Sequence, residues 1–185
     1  MSTEVSNQAH SAPAPQELIS PEWVYPYSAG LTGGLLGGAV MALVGIVYGL
    51  ISGIGVWRPV NLVAATLMRD LQTAPMESVS QFNLAALVVG LVLHLGVSIG
   101  LGVVFSFILP ALPGRPLYWS WLIGPLLWVG ASVAVLPFLN PVMYAHVEWI
   151  SFILANVLYG LVLGWWIDRT PRVHTQAVDS GQEAQ

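Results

Sequence analysis

Four long stretches of this chain carry no Asp, Glu, Lys or Arg: about residues 28–56, 84–109, 117–139 and 149–167. A helix needs roughly 20 apolar residues to cross the ~30 Å hydrocarbon layer of a membrane, and each stretch is about that long or longer. Membrane-spanning strands are disfavoured, because they are only ~10 residues long and alternate in polarity, and these stretches do not alternate. The pattern predicts an all-α integral membrane protein: four transmembrane helices in an antiparallel bundle.

Composition closes the other routes. Hydrophobic residues make up 56% of the chain and charged residues 8%, whereas a soluble domain carries about a quarter charged residues. The chain has no Lys, and five Arg against nine acids leave a formal net charge of −4. A water-soluble globule, a disordered protein and a nucleic-acid binder are therefore excluded as readings. With no Cys, disulfides and thiolate metal sites are impossible. The first residues have no basic region leading into an apolar core, so a secretory signal peptide is not expected. Residues 1–27 and 169–185 read as flexible tails around a transmembrane domain at 28–168.

Aromatic residues cluster where the spans end, as at membrane interfaces: Trp23, Tyr25, Tyr27, Trp57, Tyr118, Trp119, Trp121, Trp149, Trp165 and Trp166. Between the first two spans, Val60, Val63, Ala64, Leu67, Met68 and Leu71 share one helical face, while Asn61, Thr66, Arg69, Asp70 and Gln72 share the other. This predicts a short amphipathic helix over about 59–72, lying in the interface, with Pro59 in its first turn. The next connection holds Pro110, Pro113, Gly114 and Pro116 and is short, so spans two and three are expected as a hairpin. Four spans put both tails on one side. Arg115, Arg169 and Arg172 on that side outnumber Arg58 and Arg69 on the other, so the tails are expected in the cytoplasm.

Small residues give the clearest pattern. Gly30, Gly34, Gly38, Ala42, Gly45, Gly49 and Gly53 recur at steps of four, with one step of three, and Gly33 and Gly37 widen the stripe. Gly96 and Gly100, Gly130 and Ala134, and Gly160 and Gly164 form shorter pairs in the later spans. In lipid, small residues let helix backbones approach closely. The stripe is longer than one neighbour needs, which suggests one neighbour inside the chain and one outside.

Polar groups within spans are costly and are functional candidates by default. His94, in the middle of the second span, is the ionisable residue deepest in any span. It is open to three readings: a neutral histidine bonded to a neighbouring helix, a contact to a partner subunit or its cofactor, or a proton or ligand site. Asn156 sits in the fourth span, in step with Gly160 and Gly164, where its amide is expected to bond across to another helix. His146 and Glu148 read as a solvated interfacial pair rather than metal ligands. No residue set suggests a catalytic, cofactor or metal site. Pro125 and Pro137 free two carbonyls in the third span.

The glycine-rich first span, the mid-chain membrane histidine and the Pro-bearing later span resemble the uncharacterised small bacterial inner-membrane proteins of the YagU type. The stretch Gly53-Ile54-Gly55-Val56-Trp57-Arg58-Pro59-Val60-Asn61-Leu62 looks like a motif of such a family. The resemblance implies a bacterial inner-membrane location and brings no activity or functional residue with it. Helices rich in small residues, few intramembrane charges and no enzyme motif lead to the expected role: a non-catalytic subunit or assembly partner of a larger membrane complex, such as a respiratory or photosynthetic one, with lipid and other integral subunits, or copies of itself, as neighbours. A small-solute channel or transporter working as an oligomer is the alternative.

Overall fold

A computed structural model describes residues 23–175. The tail expectations for 1–22 and 176–185 fall outside the described residues. Among the described residues seven α-helices follow in order: α1 (Tyr27–Ile51), α2 (Trp57–Ala64), α3 (Met76–Val79), α4 (Leu84–Ile108), α5 (Pro116–Leu139), α6 (Pro141–His146) and α7 (Trp149–Arg169). Helices α1, α5 and α7, and α4 with the turn that extends it to Ala111, are each long and apolar enough to cross a membrane. Their outer surfaces are apolar: Ile51, Phe138 and Ile150 are 79%, 85% and 87% exposed.

The first span ends earlier than the uncharged run suggests. Gly53 and Gly55 adopt φ of +73° and +87°, which glycine tolerates and a helix does not. Gly53 therefore belongs to the turn after α1, not to a helix face.

Helix α1 is the centre of the molecule. It packs along α4 on one side and α7 on the other, and α7 in turn packs along α5. The glycines explain why. A Cβ at Gly34 would stand 2.6 Å from the Ser98 carbonyl oxygen, one at Gly38 would stand 2.8 Å from the Ser98 Cβ, and one at Gly30 would run into the Gly102 carbonyl. On the α7 side, Cβ atoms at Gly33 and Gly37 would meet Leu163 Cδ1 at 2.9 Å and Tyr159 Cδ2 at 2.8 Å. Gly160 and Gly164 do the same for the α7–α5 contact, against Ser120. Two neighbours of the first-span stripe, α4 and α7, thus lie inside the chain. Gly45 has nothing within 4 Å, and Gly49 meets the Gly55 carbonyl in the turn after its own helix.

The expected hairpin of spans two and three does not form a packed pair. Among the described residues, α4 and α5 share almost no contact. Each finds its glycine-matched groove elsewhere, α4 on α1 and α5 on α7, and a gap is left between them.

The segment expected to lie flat in the interface is instead folded against the protein. Its helix stops at Ala64, and Arg69–Gln72 form a 3₁₀ turn. Both faces meet the protein. Ala64 and Leu71 of the apolar face are buried in a small core with Ala65 and Ala86. On the polar face, Asn61 is buried and donates to the carbonyls of Val79 and Gln81 at 2.7 and 2.8 Å, while Arg69 and Asp70 stay exposed. Arg69 and Gln72 donate to the Leu139 carbonyl, both at 3.2 Å. Leu67, expected on the apolar face, is 64% exposed. The end of a helix leaves carbonyls without partners, and the polar side chains of this segment satisfy them at the end of α5.

Chain ends flanking the long helices meet. Trp23–Val24 pairs with Val173–His174 in an antiparallel two-stranded ladder, so these parts of the expected tails are structured. Arg172 lies over the Tyr25 ring, 4.9 Å from its centroid. Arg115 forms an ion pair with Asp168. That hydrogen bond first, and the carboxylate's charge second, raise the Arg115 guanidinium above its ordinary value.

Candidate functional site

The gap between α4 and α5 is a cavity of about 210 Å3. Leu93, His94, Val97, Ser98 and Leu101 of α4 form one wall, and Trp128, Ser132 and Leu136 of α5 form the other. Met41 of α1 and Phe152, Asn156 and Tyr159 of α7 form its floor, with Thr66 and Met143 at one end. No Asp, Glu, Lys or Arg lines it. A second cavity, of about 280 Å3, adjoins it at Met41, Val63, His94, Met143 and Phe152. This one carries charge: Arg58 and Glu148 line it, with Tyr48 and His146.

His94 sits at the junction. Its Nε2 is 2.8 Å from the Gly38 carbonyl oxygen on α1. A carbonyl only accepts, so Nε2 carries the proton of this bond, and in the neutral ring Nδ1 is a bare acceptor. The placement follows from the small residues: a side chain at Gly38 would occupy the space next to the imidazole, since a Cβ there lies 3.8 Å from Nε2.

Asn156 does not bond across to another helix. Its amide donates to the Phe152 carbonyl of its own helix at 2.8 Å, and the residue, 3% exposed, lines the cavity. The bridge between helices comes from Tyr159, whose hydroxyl donates to the Ser98 carbonyl at 2.6 Å. Sequence reasoning missed Tyr159, Ser98 and Ser132. The signal was present: Gly90, His94, Ser98, Gly102 and Ser106 recur at steps of four along α4, and Trp128, Ser132 and Leu136 do so along α5. Serine counts as a small residue in such patterns.

Gly96 and Gly100, singled out as a packing pair, point the other way. Both are exposed, and a Cβ at either meets nothing within 4 Å. Gly96 is two residues from His94, about 200° around the helix, and so on the outer side of α4. Gly130, with Ala134, is likewise exposed and unopposed on α5. His146 bonds the Val142 carbonyl of its own helix at 2.9 Å. Among the described residues no group of three or more His, Asp or Glu is placed to hold a metal ion. No family model, curated protein or solved structure matches this chain.

Proposed function

We propose that this chain is a non-catalytic integral membrane subunit, or an assembly partner, of a larger membrane complex. Its four long helices cross the bilayer alternately up and down, in a bacterial inner membrane, with both tails cytoplasmic. The observation that supports this is the division of the small residues. Gly30, Gly33, Gly34, Gly37, Gly38, Gly160 and Gly164 are consumed by contacts within the chain, whereas Gly96 and Gly100 are exposed with nothing opposite them. In lipid such a face gains van der Waals contact when another helix seats on it.

The test is purification of the tagged full-length protein in mild detergent, as native chain and as Gly96→Leu and Gly100→Leu. The expected result is a stoichiometric partner, or a self-associated species, with the native chain and its loss from both variants while the monomer stays folded. Retention of the same assembly in both variants overturns the reading.

The adjoining cavities favour a second reading, a small-solute channel or transporter working as an oligomer. Against it, the charged lining is confined to the cavity that holds Arg58 and Glu148, and an uncharged stretch is a poor path for polar solutes. Solute flux into proteoliposomes, lost in Ser132→Leu, would carry this reading over the first.

A further inference from the structure

The bonding capacity left open in the uncharged cavity is specific. Nε2 of His94 is taken by the Gly38 carbonyl, and the Asn156 amide by the Phe152 carbonyl. Among the described residues, neither His94 Nδ1 nor Asn156 Oδ1 has a hydrogen-bond partner. Neither atom is sealed off: the sealed, unpartnered side-chain atoms are Arg58 Nε and Asn61 Oδ1. Asn156 Oδ1 therefore faces the uncharged cavity its residue lines, and His94 Nδ1 is open at the junction of the two cavities. Ser98 and Ser132, 4% and 6% exposed, line the same space, and their hydroxyls are also unbonded among the described residues.

We propose that this cavity binds a neutral, lipid-soluble ring compound bearing a hydroxyl group, a phenol or a ring alcohol. Neutrality follows from the lining, which offers no counter-charge to an ion; an unpaired charge there would be expensive. The ring follows from size and walls. The cavity holds about 210 Å3 between Trp128 and Phe152, more than the ~150 Å3 that accommodates benzene in an engineered apolar cavity. The hydroxyl follows from the two open acceptors. A hydrocarbon or an ether leaves them unpaired, at the cost of a buried polar group without a partner. The hydroxyl donates to Asn156 Oδ1, which belongs to this cavity alone, and takes a bond back from a serine. Access follows from the fold: α4 and α5 do not pack on each other, so the cavity side between them is not closed by a helix contact.

The inference does not depend on a partner subunit, since binding can fail with assembly intact. The test uses the full-length protein in phosphatidylcholine nanodiscs, titrated with 4-fluorophenol and with 4-fluoroanisole, and read by fluorine NMR against empty nanodiscs. The phenol is expected to bind saturably and the methyl ether about tenfold more weakly, the factor that follows from one lost hydrogen bond to a buried acceptor. Asn156→Leu is expected to weaken the phenol about tenfold and leave the ether unchanged. Ser132→Leu, which fills the cavity from α5, is expected to remove both. Equal titration of the two probes, or no saturation beyond empty nanodiscs, overturns the proposal. So does unchanged phenol affinity in a folded Asn156→Leu. The two probes on the unaltered protein decide the matter even where a variant misfolds.

Discussion

At the scale of the residue, His94 ties α4 to α1 through one hydrogen bond to the Gly38 carbonyl. Gln supplies both a donor and an acceptor, so His94→Gln should leave stability in detergent nearly intact. His94→Leu should cost about 1 kcal/mol, the worth of one such bond in a membrane, measured by denaturant unfolding. Unchanged stability in both substitutions, with activity of the parent complex lost in both, would assign His94 a chemical rather than a structural role. The glycines sort as sharply. Gly34→Leu drives a side chain into the Ser98 backbone and should destabilise on the order of 1–3 kcal/mol. Gly45→Leu enters open space and should leave unfolding unchanged. Sequence alone ranked these two alike, because spacing by four gives the face of a helix but not how far along that face a neighbour reaches. It also favoured Gly96 and Gly100 over Ser98 and Gly102, because a pair of glycines is a louder pattern than a mixed ladder of Gly, His and Ser.

At the scale of the element, the long helices were legible and the connections were not. Uncharged length marks a spanning helix almost without regard to context, whereas a short amphipathic segment can turn either face to the protein. Here both did: Ala64 and Leu71 went into a core, and Asn61, Arg69 and Gln72 found backbone carbonyls to donate to. Asn140 is the hinge of that arrangement. It is fully buried, caps α6 by accepting from Met143 N at 3.1 Å, and donates to the Leu62 carbonyl at 2.7 Å. Asn140→Ala removes a helix cap and strands a buried carbonyl, so it should cost about 2 kcal/mol. Asn140→Asp keeps the cap but sets a buried carboxylate oxygen against the Leu62 carbonyl, and should cost at least as much in the same unfolding measurement.

At the scale of the whole molecule, the strand ladder holds the start of α1 and the end of α7 at one end. The chain has no Cys, so single Cys probes report orientation on a clean background. In the proposed orientation, a probe at the exposed Ser78 should react with an impermeant thiol reagent added to intact cells, and a probe at Ser11 should not. Reversal of the two inverts the orientation, and equal labelling refutes an even number of spans. The order in which the helices pack was beyond the sequence. Chain order predicted α4 beside α5, but complementary small-residue faces, which match only in three dimensions, set α4–α1–α7–α5. The cavity between α4 and α5 is a by-product of that order, which is why its lining could be read only residue by residue and not as a site.

The central place of α1 also fixes a timetable. Synthesis delivers α1 and α4 early, and they can pair as soon as both are inserted. Helix α5 arrives next and finds no groove, because its own lies on α7, which is made after it. In the proposed bilayer setting, α5 is then a solitary helix until the last span is made. A chain truncated after Glu148 and released should thus be half assembled and open to membrane proteases at α5, and its α1–α4 half should already be protected.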